Sequence, residues 1–553
     1  MAKFAGKKAF WLFRCAISVA IVCTNFTVGT SAAVAEEISL RTEIDRELST
    51  AWQKENITHV SPSGDAEFMR RIYLDLVGVI PTADEAAAFL QDSTSGKRAA
   101  LVDKLLDDPR FADHQSNYWD QLFFGRRPFD SELTNRREAF QAWLKKKFAN
   151  NEPYNQWVRD LLLAEGGTHE GPAMFFAQFR SRPEDAAEAV SKFFLGTQIH
   201  CARCHDHPFD KWTQTDFYGV AGFFVRLAFI DTNEGGKRHY ILAEKSSGEV
   251  LFTGPAAKQK PGQKGEPVAA RFLGGDVIDE PPLPKDFKEP DLKGNKNPPK
   301  PLFSRREKFA TWATQADNPY FTKAVVNRMW AQFLGRGLVD PVDDLRDSHP
   351  ATLPPLFQKI QEQLIAHNYD LKWLIREIVN SQAYQLTAAG SGTDAYPVWY
   401  ERARVRPLSA EELMASFRQA TSFDASLAAT GAKPEATVTP ERPFFMLSFG
   451  EPLNGRNEFQ PSLNEHLFLN NSGTLRQTLL QPKKGNLADQ LVNSQSSWEE
   501  KVDRLFLAVL TRMPKETERQ KFVAYLTAEK TPGPAIEEAI WVLLNTSEFR
   551  FNH

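Results

Sequence analysis

The stretch His200-Cys201-Ala202-Arg203-Cys204-His205-Asp206-His207-Pro208-Phe209-Asp210-Lys211-Trp212 gathers three of the chain's eleven histidines with two of its four cysteines and two carboxylates. Cys-x-x-Cys-His is the attachment pattern of a c-type haem. Each thiol would add to a haem vinyl group, the spacing matches the gap between the vinyls, and His205 beside Cys204 would bind the iron from one face. The same atoms allow a second chemistry. Cys201, Cys204 and His207, completed by His205 or His200, could hold Zn or Fe through two thiolates and imidazoles, with Asp206 or Asp210 orienting an imidazole from behind. A third is a local disulfide or redox dithiol, the histidines serving as hydrogen-bond partners in a turn. Haem also wants a sixth ligand or an open face. Met174, Met329, Met414 and Met446 qualify by type alone, and nothing in the sequence selects among them.

The first 35 residues read as a secretory signal peptide: Lys3, Lys7, Lys8 and Arg14 lead, Cys15 to Cys23 is a short apolar run, and Ala33-Val34-Ala35 is a small-residue cleavage site. Cys15 and Cys23 leave with it, so Cys201 and Cys204 have no rivals in the mature chain. An exported protein without a disulfide framework must hold itself together by burial. The expected location is the periplasm or cell surface, with no stable membrane span once the signal is cleaved. Losing four positive charges and no acid takes the formal net charge from −3 to −7. That balance argues against nucleic acid as a partner. A redox partner or a cell-surface component fits better. Gly-x-Ser-x-Gly, His-Glu-x-x-His, Walker A and Gly-x-Gly-x-x-Gly are all absent.

The elements that must position the motif are helical. Thr82-x-x-Glu85 and Thr213-x-x-Asp216 are capping boxes, and Pro183-Glu-Asp opens a helix that runs through Val190 and Phe194 to Gly196, just before the cysteines. Pro208 prevents a continuous helix, so the motif sits at a helix junction, with Tyr218 and its neighbours on the next helix available to wall it. Aromatic-rich helices are expected over Tyr118 to Phe124, Phe140 to Phe148 and Trp157 to Leu163, and further helices over Ala310 to Ala316, Tyr320 to Phe333, Arg402 to Phe417, Leu463 to Asn470 and Leu475 to Leu480. Tyr240-Ile-Leu and Val250-Leu-Phe, separated by Ser-Ser-Gly, read as a β-hairpin ahead of a Lys-, Gly- and Pro-rich connector. Asp340, Asp343, Asp344 and Asp347 cluster before His349; a cation site is conceivable, and solvated or capping acids are the plainer reading.

One unit recurs. Arg71 to Pro81 aligns without gaps on Arg504 to Pro514, and Glu85 and Phe89 fall on Glu518 and Phe522 at the same offset of 433. Leu105 to Phe111 then matches Leu543 to Phe549 after five extra residues, and Ile378 to Tyr384 echoes the same ending. These are read as copies of one helical hairpin unit. The fold class is therefore mainly α: a multi-helical two-domain protein with repeated helical hairpins and a small β-hairpin or extended insert between the halves. The expected boundaries are 1–35 for the signal, 36–228 for an N-terminal helical domain carrying the motif, 229–300 for the insert and connector, and 301–553 for a C-terminal helical domain.

Several stretches together resemble one known family. Arg70-Arg-Ile-Tyr-Leu-Asp-Leu-Val-Gly-Val-Ile-Pro-Thr82, Phe194-Leu-Gly-Thr-Gln198 and the string from Cys201 to Gln214 are similar to the planctomycete cytochrome c-like domain of the PSCyt type. Asn327 to Asp344 and the closing Asn545 to His553 resemble its usual partner, the PSD domain. The resemblance implies an exported bacterial protein built of two domains of unknown function, its cytochrome label resting on this same Cys-x-x-Cys-His. Some members carry a separate N-terminal cytochrome c module; this chain shows no second haem motif.

Overall fold

Helix boundaries follow the capping chemistry closely. The Thr82 hydroxyl accepts from the Glu85 amide at 3.1 Å while the Glu85 carboxylate accepts from the Thr82 amide at 2.9 Å, opening the helix Ala83–Gln91. The same reciprocal pair joins Thr213 and Asp216 at the start of Gln214–Ala221. Pro183 stands in the first turn of Pro183–Leu195, whose acids Glu184 and Asp185 lie at the positive end of the helix dipole, and Gly196 ends it in the left-handed conformation. The computed structural model describes residues 39–125, 137–234, 236–252, 265–390, 398–431, 467–469 and 471–553. The leader over 1–35, Met446 and most of the helix expected over 463–470 lie outside the described residues.

The chain is mainly helical with a few small sheets, as its periodicity implies. Residues from Ser39 onward form one compact unit. Trp119, Trp157, Phe194, Trp330 and Phe506 all belong to one continuous buried cluster. Rings meet edge to face within it, as between Trp119 and Trp157 at 5.3 Å. Among the described residues no helix is long and apolar enough to cross a membrane.

The recurrence is structural as well as sequential. Asp65–Val77 and Trp498–Leu510 have boundaries separated by 433, and each ends on a left-handed residue, Gly78 at φ 68° and Thr511 at φ 62°. Glu518 reaches back to the Lys515 amide at 2.7 Å as Glu85 does to Thr82. The copies touch: Arg70 of the first donates to the Phe549 carbonyl of the second at 2.7 Å, and Arg504 of the second pairs with Asp84 of the first at 2.8 Å. The partial copy near Tyr384 shares the ending, a helix Leu371–Val379 followed after a short break by the turn Gln382–Gln385.

Two expectations are corrected. Tyr240-Ile-Leu does not pair with Val250-Leu-Phe. The strand Lys237–Glu244 instead pairs antiparallel with Leu227–Glu234 on one side and with Gly166–Gly167 on the other, while Val250–Phe252 pairs with Glu266–Val268. The two long strands run up to Glu234 and on from Lys237, which are partners in the register, with Gly236 at positive φ before the second strand. Ser246 and Ser247 are held by the Glu289 carboxylate, their amides donating at 3.1 and 2.8 Å, and so anchor the connector. The helix expected from Arg402 begins only at Ala410, because residues Arg406–Pro407 form a short strand against Phe551–Asn552 and Ser409 supplies the N-cap.

Candidate functional site

His200–Arg203 forms one tight 3-10 turn directly after the left-handed exit of the Pro183–Leu195 helix. Its underside is anchored. Ala202 is fully buried, Arg203 reaches back to Asp185 at 2.8 Å and Glu188 at 3.4 Å, and the Arg203 carbonyl accepts from the Tyr218 hydroxyl at 3.1 Å and the Gln214 side chain at 3.3 Å. Burial pulls the Arg203 guanidinium down, but the hydrogen-bonded Asp185 outweighs it and holds the group above its ordinary value. The upper side is open: Cys201 and Cys204 are free thiols, both exposed.

His205 Nδ1 lies 2.8 Å from the carbonyl oxygen of Asp206. A carbonyl only accepts, so Nδ1 carries the proton and Nε2 keeps its lone pair. This is how ligating imidazoles are usually fixed in tautomer and direction. His207 is set the other way: the Phe209 amide donates to its Nδ1 at 3.2 Å, so in the neutral ring Nε2 holds the proton and neither nitrogen offers a free lone pair. His200 Nδ1 pairs with Glu188 at 2.9 Å. The two carboxylates expected behind an imidazole serve backbone instead, Asp206 accepting from the Gln214 amide at 3.0 Å and Asp210 from the Lys211 amide at 2.7 Å. Among the described residues no three His, Cys, Asp or Glu side chains gather in a way that could hold a metal ion, so the set Cys201, Cys204, His207 and His200 does not converge. The groups on this face that could hold a cofactor are the two exposed thiols and His205 Nε2. Met174, Met329 and Met414 are buried in the core.

The second half of the chain supplies part of the wall, which the motif alone did not reveal. Trp212 is buried, its ring 6.3 Å from that of Tyr320. Burial, with Asp210, Asp347 and Asp216 nearby, pushes the Tyr320 hydroxyl up. The Leu345 amide donates to the Gly196 carbonyl at 2.8 Å, and Lys211 lies 3.9 Å from Asp347. The one available signal was the pairing of the two signature stretches within one chain. The acids near His349 are each paired with a base: Asp340 with Arg336 at 3.5 Å, Asp343 with Arg328, and Asp344 with Arg346 at 2.9 Å and His349 at 3.2 Å. They brace the loop through ion pairs, neither as a cation site nor as the solvated or capping acids of the plainer reading.

Residues 43–228 match the family model PSCyt2, described as a protein of unknown function (DUF1549), and residues 305–443 match PSD1, likewise described as a protein of unknown function (DUF1553). No curated protein and no solved structure matches the chain. Both family models fall in the expected order, with the cysteine motif inside the first and the Arg328–Asp343 pair inside the second. The chain thus carries a PSCyt2 domain followed by a PSD1 domain, both of unknown function.

Proposed function

We propose that this is an exported redox protein that carries one c-type haem on Cys201, Cys204 and His205. The observation that carries it is the hydrogen bond from His205 Nδ1 to the Asp206 carbonyl at 2.8 Å, which leaves Nε2 free beside two exposed, unbonded thiols. When bound, the haem supplies one-electron transfer. The chain's own residues do the rest. The thiols would hold the group through thioether links, while the Asp206 carbonyl holds the imidazole in register and the Tyr218 hydroxyl and Gln214 side chain fix the turn from below through the Arg203 carbonyl. A leader of the kind read at residues 1–35 suits this, since such attachment is made after export. The partner is a redox protein or a cell-surface component.

The test is co-expression with a cytochrome c maturation system, followed by denaturing electrophoresis and a peroxidase stain for haem that stays with the polypeptide. Stain on the wild type and none on Cys201→Ala/Cys204→Ala is the expected result. An unstained wild-type band with stoichiometric Zn or Fe would place the metal set in its stead, and one with a Cys201–Cys204 disulfide would place the dithiol.

A further inference from the structure

Phe209 is the most exposed of the large apolar side chains on the described surface, at 76%. It does not ride on a slack loop. The His207 amide donates to the Trp212 carbonyl at 2.8 Å, the Phe209 amide to His207 Nδ1 at 3.2 Å, and the Lys211 amide to the Asp210 carboxylate at 2.7 Å. Trp212, three positions on, is driven into the core at 3% exposure. The turn therefore buries one aromatic ring and holds the other out in water. Cys201, Cys204 and His205 are exposed on the same short stretch, with Phe209 four positions after the imidazole.

We propose that Phe209 is the side chain that packs on the prosthetic group held at Cys201, Cys204 and His205, an inference that rests on the c-type haem reading above. A porphyrin is a flat, largely apolar disc, and one tethered to surface thiols leaves much of itself facing water. An aromatic ring already fixed in place covers it by offset or edge contact without first having to be ordered. A metal ion or a disulfide has no use for an apolar ring at that position. Of the flanking side chains, Asp210 and Lys211 are charged and Pro208 offers a smaller, non-aromatic ring.

The experiment uses the full chain in two forms, haem-free from cells without the maturation system and haem-loaded from cells with it. Chymotrypsin, which cuts after accessible aromatic residues, is expected to nick the haem-free protein after Phe209, the site being read by mass spectrometry. In the haem-loaded protein that cut is expected to slow by about tenfold or more, while cutting at Tyr525, exposed on the helix Glu516–Ala528, is unchanged. Phe209→Ala, an exposed position whose replacement spares the core, is expected to keep covalent haem yet let cyanide reach the iron several-fold faster, with Phe209→Tyr restoring the wild-type rate. Covalent haem with equal cutting after Phe209 in both forms, or with an unchanged cyanide rate in Phe209→Ala, overturns the inference alone. Absence of covalent haem from the wild type overturns the proposed function and this inference with it.

Discussion

The strongest structural prediction concerns Asp75, which sits 2% exposed where the first hairpin copy meets the end of the chain. One carboxylate oxygen accepts from Arg404, from Arg406 at 3.1 Å and from Asn552 at 2.8 Å; the other accepts from the Tyr384 hydroxyl at 2.8 Å. Arg406 has a second anion in Glu412, gripped at 2.6 Å through both nitrogens, but among the described residues Arg404 has Asp75 as its carboxylate partner. Asp75→Asn keeps the shape and removes the charge. It leaves a buried guanidinium without its anion and offers the Tyr384 and Asn552 donors an amide in place of a carboxylate. Breaking a buried pair from one side costs about 3–5 kcal/mol, a large share of a typical folding free energy. Urea unfolding followed by fluorescence, with hydrogen exchange to locate the loosening, should show this loss, and the 406–407 and 551–552 strand pair should exchange first. Asp75→Asn/Arg404→Met should recover most of the stability, because the stranded charge is gone. A single variant within about 0.5 kcal/mol of wild type would refute the assignment of this cluster as the clasp between the two ends of the chain.

Asp120 is pushed up to about 6 by burial, which Arg137 and the 3.0 Å hydrogen bond from Gln141 offset only in part. Its folded value lies above the unfolded one, so the group favours the fold at low pH and that contribution is lost as pH rises through about 6. Asp120→Asn should therefore gain up to about 3 kcal/mol at pH 7 and show a flatter stability profile between pH 4 and 7, measurable by urea titration at each pH. Gly196 holds φ 60°, and a Cβ there would meet Leu345 Cδ1 at 2.6 Å. Gly196→Ala should cost about 1–3 kcal/mol and speed alkylation of Cys201 and Cys204 by loosening the turn that carries them. Trp212→Ala should cost about 3–5 kcal/mol by emptying the pocket against Tyr320, seen as a lowered unfolding midpoint. In the haem-free protein an aromatic disulfide reagent should titrate two fast thiols, since both sulfurs are free and exposed.

What could be read from sequence was local. Capping chemistry located the starts of the helices after Thr82 and Thr213, because a cap is decided by side chains three positions apart. The repeat was legible because a hairpin that must pack against the same kind of neighbour keeps its Arg, Pro, Glu and Phe at fixed intervals. Strand pairing was not, since Tyr240-Ile-Leu is equally apolar whichever neighbour it meets, and its partner proved to be Leu227–Glu234. The Asp75 cluster joins residues more than 300 positions apart, and Asp75, one of several charged residues on its helix, gives no hint of its partners. At the site, the cysteines and histidines were evident from spacing, but the tautomers of His205 and His207 and the outward thrust of Phe209 depend on where backbone groups fall.

The central claim is that Cys201, Cys204 and His205 grip a haem. Its most direct test is the mass of the intact protein, purified under denaturing conditions from the organism that makes it, followed by mapping of the peptide that spans His200–Trp212. The account predicts a mass greater than that of the mature chain by one haem, with the addition on the peptide bearing both cysteines. A peptide of unmodified mass, or one lighter by the two hydrogens of a disulfide, would contradict it.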